Sequence, residues 1–307
     1  MKIRPPRARH YLPRGLLALM LFGTFSSSIM AASIELPPIV EPASSEHHAG
    51  KVIWADLATP DLASAKRFYG GLFGWTFREL HARHTDYILA LLDGRPVAGL
   101  LQKAISPGER RQPAWLTFIA ASDVDATTRN ALANGAKILA QARDFPQRGR
   151  QAVLADPQGA VFAVLASSSG DPPDFLAAPG EWIWSALLTH DPDKDAAFYQ
   201  ALFGYDVFEL PSDDGLEHVI LSSDDFSRAS INGLPTDSSR RHPHWLNFVR
   251  VVDAADAAAH AVALGGRVLV EPRIDRHGGK VSVVADPMGA PIGLMEWSDT
   301  GSTQEPK

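Results

Sequence analysis

Apolar positions along this chain follow two periods in turn. "KVIWADLA", Lys51 to Ala58, is rich in β-branched and aromatic residues and predicts a strand. It stops at Asp61, whose side chain is free to accept from the orphan amides of a following first turn. Leu62, Ala65, Phe68, Tyr69 and Leu72 then recur at helical spacing, and Gly74 stands where the helix must leave by a positive φ. "TDYILALLD" and "RPVAGLLQ" read as the next strands. The plan then starts again. "AWLTFIAA" predicts a strand, Asp123 caps a helix closed near Gly135, and strands follow around "AKILA", "RQAVLAD" and "AVFAVLA". "DPQGA" is a tight turn between the last two.

The whole pattern occurs twice. Trp54, Asp61, Phe68, Tyr69, Phe73, Gly74 and Glu79 return as Trp184, Asp191, Phe198, Tyr199, Phe203, Gly204 and Glu209, an offset of 130 (184 against 54). Trp115, Phe118, Asp123, Gly135, Asp156 and Gly159 return at the same offset. Only the middle slips, where "AGLL" from Ala98 is matched to "NGLP" from Asn232, an offset of 134 (232 against 98). Self-similarity on this scale predicts two homologous domains, 50–167 and 180–298, joined by a Pro/Ser/Gly-rich linker at 168–179 and followed by a tail at 299–307. Each domain reads as α+β. In the repeated phrase "RFYGGLFGW", the aromatics are expected to supply core area and the glycine a turn, not catalysis.

Ahead of the repeats, Lys2, Arg4, Arg7, Arg9 and Arg14 precede the apolar run "GLLALMLFGTF" and the small-residue segment "SSSIMAAS". That order predicts a secretory signal peptide over 1–32, cut after Ala31 or Ala32, and a periplasmic or secreted product. The run is about half the ~20 residues that a membrane-spanning helix needs, so no stable membrane insertion is expected after cleavage. Residues 33–49, with "LPPIVEPASSEHH", read as a flexible, extended tether. The 307 residues include no cysteine, which excludes disulfides, thiolate chemistry and a lipoprotein anchor. A net charge of −6 offers no basic field for nucleic acid, so the charge argues for a small-molecule or protein partner, the expected one being a small-molecule ligand. The sequence sets no oligomeric state.

With "TPDLASAKRFYGGLFGW" early and "DPQGAVFAV" late, the repeat resembles the vicinal oxygen chelate superfamily, which holds glyoxalase I, extradiol dioxygenases and bleomycin-resistance proteins. It is similar in particular to bacterial tandem glyoxalase-like proteins. The resemblance covers roughly residues 50 to 297. It implies two tandem domains, each a pair of strand-helix-three-strand units forming a half-open barrel around a cavity. One frame hosts isomerases, dioxygenases and binding proteins, so the cavity decides.

Metal-dependent relatives carry a His or Gln seven residues before the capping Asp and a Glu four residues after the turn glycine. Carried over, those positions are Trp54, Leu116 and Ala163 in the first domain and Trp184, Leu246 and Gly293 in the second. None offers a metal donor. No cofactor is therefore expected, with a divalent metal on atypical ligands such as Asp56, His244 or Glu296 as the alternative.

The implied cavity face of the first strand carries Trp54 and Asp56, replaced by Trp184 and Ala186 in the second domain. Asp56 is either a polar ligand contact or the partner of a nearby amide or Arg. Trp54, Trp184, Phe118 and Phe248 are candidate pocket walls, whereas Trp115 and Trp245 have the parity of the helix-facing core. In "RRHPHWLNFVR", His244 is a candidate for acid-base work and Arg250 for binding an anion, with His218 nearby on a middle strand. Asp56 and His244 are thus the catalytic candidates, and Trp54, Asp56, Trp184, Phe118, Phe248 and Arg250 the ligand-binding ones. His47 and His48 lie in the tether, and "RRQP" and "RRHP" read as solvated loops. Three functions compete: an exported protein binding a small molecule in metal-free cavities, a glyoxalase-type lyase, isomerase or dioxygenase, and a surface protein-interaction module.

Overall fold

The computed structural model describes residues 35–82, 85–103, 113–210, 218–234, 242–274 and 279–297. The signal peptide expected over 1–32, the tail at 299–307 and most of the "RRQP" and "RRHP" loops lie outside them. Among the described residues, no helix is long and apolar enough to cross a membrane.

The first domain runs β1 (Val52–Thr59), α1 (Leu62–Phe73), β2 (Thr76–Ala82), β3 (Thr85–Leu92) and β4 (Arg95–Gln102), then β5 (Ala114–Ala120), α2 (Val124–Ala133), β6 (Lys137–Phe145), β7 (Gly149–Ala155) and β8 (Val161–Ser167). The second runs β9 (Trp182–Thr189), α3 (Pro192–Phe203), β10 (Asp206–Glu209), β11 (His218–Ser223) and β12 (Phe226–Gly233), then β13 (His244–Val251), α4 (Ala254–Ala263), β14 (Arg267–Ile274), β15 (Lys280–Ala285) and β16 (Pro291–Glu296). Each helix starts at the aspartate that the sequence marks. Asp61 accepts from the Ser64 amide at 2.9 Å and Asp191 from that of Lys194 at 3.2 Å. Gly74 and Gly204 end α1 and α3 at φ 74° and 70°, where a Cβ would be strained.

Each domain forms one eight-stranded sheet, in the orders β2-β3-β4-β1-β5-β8-β7-β6 and β10-β11-β12-β9-β13-β16-β15-β14. The halves meet antiparallel at β1/β5 and β9/β13, and neither sheet closes. The register corrects one sequence match. Asp56 pairs with Gly99, and its counterpart Ala186 pairs with Ser230. Gly99 therefore corresponds to Ser230, not to Gly233. The four-residue likeness of "AGLL" to "NGLP" was local, and strand parity overrides it.

The helices lie where the two domains meet, and the cores are shared. One core joins α1 and β1 of the first domain to α4, β13 and β16 of the second. The other joins α2, β7 and β8 of the first to α3, β11 and β12 of the second. Trp115 and Trp245 sit in these cores, giving their indole protons to Tyr69 and Tyr199 at 3.2 and 3.0 Å. Near the pseudo-twofold relating the domains, Thr117 and its repeat partner Asn247 bond each other at 3.0–3.1 Å.

The described part of the expected tether is not free. Leu36, Pro37 and Ile39 are buried, and Ile39 packs with Trp54, Leu89 and Phe118. The Val40 amide donates to Ser169 Oγ at 3.2 Å, and the His48 amide to Asp171 Oδ2 at 2.7 Å. Proline-rich composition suggested a flexible, extended tether. It missed that the few apolar residues among the prolines have a cup to fill.

Candidate functional site: two unequal cups

The face of each sheet opposite the helices forms a cup. In the first, Trp54 pairs with Phe118 and Phe118 with Ala163, while Asp56 sits between Gly99 and Leu116. In the second, Trp184 pairs with Phe248 and Phe248 with Gly293, while Ala186 sits between Ser230 and Leu246. A shared frame thus carries two sets of side chains.

In the first cup the Trp54 indole donates to Asp56 Oδ1 at 2.7 Å, and the Tyr87 hydroxyl donates to the same oxygen at 2.8 Å. Arg148, on the turn before β7, reaches in fully buried. Its Nη2 donates to the Tyr87 hydroxyl and its Nε to the Pro37 carbonyl, both at 2.8 Å. Its guanidinium carbon lies 4.7 Å from the centre of the Trp54 ring, a cation–π contact. Burial pushes the Tyr87 hydroxyl far above its ordinary pKa, so it stays protonated as the donor. Asp56 is thus held by an indole and a phenol, with an arginine one bond beyond. Gly99 makes room, because a Cβ there would lie 1.9 Å from the Tyr87 oxygen and 2.1 Å from Asp56 Oδ1.

The second cup solves the same problem without charge. Trp184 donates to Ser230 Oγ at 3.0 Å, and Asn232 Nδ2 donates to the same oxygen at 3.2 Å. Asn232 Oδ1 meets His218 Nδ1 at 2.8 Å, so Nδ1 carries the proton in the neutral ring. Ser230 accepts twice, and no described atom accepts its own proton. The exchange of Asp56/Gly99 for Ala186/Ser230 is a compensated pair that keeps the indole satisfied in both domains.

Exposure separates the cups. Trp54, Asp56, Leu89, Phe118, Ala163, Leu165 and Arg148 are all at most 4% exposed. In the second cup Trp184, Leu188, His218, Asn232, Val281 and Val283 are half-buried, over a floor of Ala186, Leu246, Phe248 and Met295.

The remaining candidates do not converge. His244 is half-buried at the start of β13, with Nδ1 2.8 Å from the His242 carbonyl oxygen. Arg250 binds the Ala177 and Trp297 carbonyls at 2.8 and 3.1 Å, tying the linker to the end of β16. Glu296 faces the helix side, accepting from the Ala254 amide at 3.3 Å. His48 sits between Glu46 and Asp174 at 2.7 and 3.5 Å and is not in contact with either cup's candidates. The positions that metal-dependent relatives use for ligands are filled by Trp54, Leu116, Ala163, Trp184, Leu246 and Gly293, which have no donor for a metal. Among the described residues, no three His, Asp or Glu side chains are grouped to hold one. Among the described residues, the donor set at these positions does not fit a divalent ion.

A model of the glyoxalase-like domain matches the chain twice, over 53–165 and 184–295. The chain belongs to the glyoxalase-like domain family. Curated relatives agree. "Putative glyoxylase CFP32" of Mycobacterium bovis is 31% identical over 258 residues, covering 83% of this chain and 98% of the relative. The anthracycline biosynthesis protein DauV of Streptomyces sp. strain C5 is 32% identical, covering 80% of this chain and 93% of the relative. Solved structures share the fold at low identity. The Mn(II)-bound glyoxalase of Novosphingobium aromaticivorans has a TM-score of 0.56 at 15% identity, covering 81% of this chain and 82% of its own. Homoprotocatechuate 2,3-dioxygenase of Arthrobacter globiformis has 0.57 at 16%, covering 86% of each.

Sequence reasoning did not single out Tyr87, Arg148, Ser230 or Asn232. The alternation along β3, β4 and β12 carried the signal for Tyr87, Ser230 and Asn232, but the mistaken 134 offset hid that Gly99 answers to Ser230.

Proposed function

We propose that the protein is an exported small-molecule binder whose working site is the second cup and needs no metal. One observation carries this reading. Ser230 Oγ accepts from both Trp184 and Asn232, and no described atom accepts its own proton, in a partly open cup. A buried hydroxyl proton without an acceptor costs about 1–3 kcal/mol, which a guest oxygen would recover. Aromatic and aliphatic walls around that donor suit a planar apolar body bearing a carbonyl. Two relatives named for anthracycline biosynthesis are in keeping with a planar, oxygen-bearing guest. Export is supported by the order of basic, apolar and small residues before the first domain.

The test is a matched pair of probes, 2-acetonaphthone and 2-ethylnaphthalene, titrated calorimetrically into wild type and Ser230→Ala. Wild type should prefer the ketone by about 2–10-fold, the worth of one hydrogen bond, and Ser230→Ala should lose that preference. Absence of binding by either probe would sink the pocket itself.

A further inference from the structure

The first cup is filled by the chain itself, and the filling has a definite chemistry. Ile39 contributes a branched aliphatic side chain between Trp54, Leu89 and Phe118, and Pro37 contributes a carbonyl oxygen to Arg148 Nε. Residues 35–40 thus present an apolar body and an acceptor oxygen to a cup whose counterpart in the second domain is partly open.

Arg148 is not fully satisfied by this arrangement. Its Nη1 is buried and has no hydrogen-bond partner. None of the ion pairs among the described residues involves it, because Asp56 is engaged by Trp54 and Tyr87 instead. A fully buried guanidinium without a contact anion is costly, and an arriving carboxylate would supply both the acceptor and the countercharge. The strap carbonyl supplies only the acceptor.

We propose that the first cup is a second binding site, for a carboxylate ligand with a branched apolar body, and that residues 35–40 hold the ligand's place. The ligand's carboxylate takes the Pro37 carbonyl's position on Arg148 and its hydrocarbon takes that of Ile39. Binding therefore requires the strap to leave, and strap and ligand compete. This inference extends beyond the second cup and does not need it: the ligand is aliphatic and anionic, and the readout lies in the strap.

The test uses 4-methylpentanoate on the full chain, with 4-methylpentanamide as the uncharged control. Amide hydrogen exchange of unmodified protein should quicken at Leu36, Ile39 and Val40 when the acid is added, the Val40 amide being the one held by Ser169 Oγ, and should not change with the amide. Ile39→Ser, which weakens the strap without altering the cup's own wall, should bind the acid about tenfold more tightly than wild type. Arg148→Met in that background should abolish the preference for acid over amide. Unchanged or slowed exchange in wild type, or a preference that survives Arg148→Met, would overturn the proposal. Equal affinity of wild type and Ile39→Ser would overturn the competition.

Discussion

Tyr69 donates its hydroxyl proton to Asp286 Oδ2 at 3.1 Å, across 217 residues of sequence. Tyr199 does the same to Asp156 Oδ2 at 3.1 Å. The tyrosine of each "FY" phrase therefore meets the aspartate of the other domain's "DP" turn. Each aspartate in turn fastens its turn by accepting backbone amides, Asp156 Oδ1 those of Gln158, Gly159 and Ala160 at 2.7–3.0 Å. The repeated motifs are thus the lock between the domains. Burial raises both aspartates, and their hydrogen bonds from amide and phenol oppose it.

The lock predicts cooperative unfolding. Tyr69→Phe leaves the Trp115 indole without its acceptor and Asp286 without its phenol, and should cost about 1–3 kcal/mol in urea denaturation. Tyr199→Phe should cost a similar amount, and the two should add, being separate sites. Because both cores draw on both domains, unfolding should be a single transition in every case. Two transitions would contradict the shared cores.

Asp195 gives a pH prediction. It is 1% exposed on the first turn of α3, where hydrogen bonding from Thr189 and Gln158 offsets only part of its burial. Burial, and then the charge of Asp156, raise it from 3.8 to about 6. A raised carboxyl favours the protonated form in the fold, so its ionisation opposes folding. The penalty is absent below the unfolded value of 3.8 and complete above about 6. The corresponding residue in the first domain is Ala65, buried without charge. Asp195→Ala should therefore stabilise the protein at pH 7.5 by about 1–3 kcal/mol, with the gain shrinking toward pH 4. A gain independent of pH would show that packing, not ionisation, was responsible.

Asp56 anchors the first cup. Asp56→Ala strips the acceptor from the Trp54 indole and the Tyr87 hydroxyl. Thermal and urea unfolding should report a loss of about 2–4 kcal/mol. The second domain lives with Ala186 at this place because Ser230 receives its indole, so Ala186→Asp should bring no comparable gain.

Metal should be dispensable. Incubation with Mn(II), Fe(II), Ni(II) or Zn(II) followed by desalting should leave far less than stoichiometric metal, and EDTA should change neither stability nor ketone binding. Stoichiometric retention lost in Asp56→Ala or His244→Ala would contradict the donor-set argument.

Much of this was legible in the sequence. The aspartate caps, the positive-φ glycines and the period of each element gave α1, α3 and the sheet-forming strands, because these signals are local. The likeness at an offset of 130 residues gave two domains, and the parity of Trp54 and Trp115 separated cup from core. What was not legible depends on partners far apart in the chain. Arg148 enters a cup from a turn that sequence alone places on no face, and Ile39 is buried only because the first cup has space for it. Ser230 became visible once Ala186 was paired with it.

The most direct test is a crystal structure of the full chain soaked with 2-acetonaphthone. The account predicts the ring over Phe248 and Met295 in the second cup, with the ketone oxygen within hydrogen-bonding distance of Ser230 Oγ. A probe bound elsewhere, or a ketone oxygen turned away from Ser230, would contradict it.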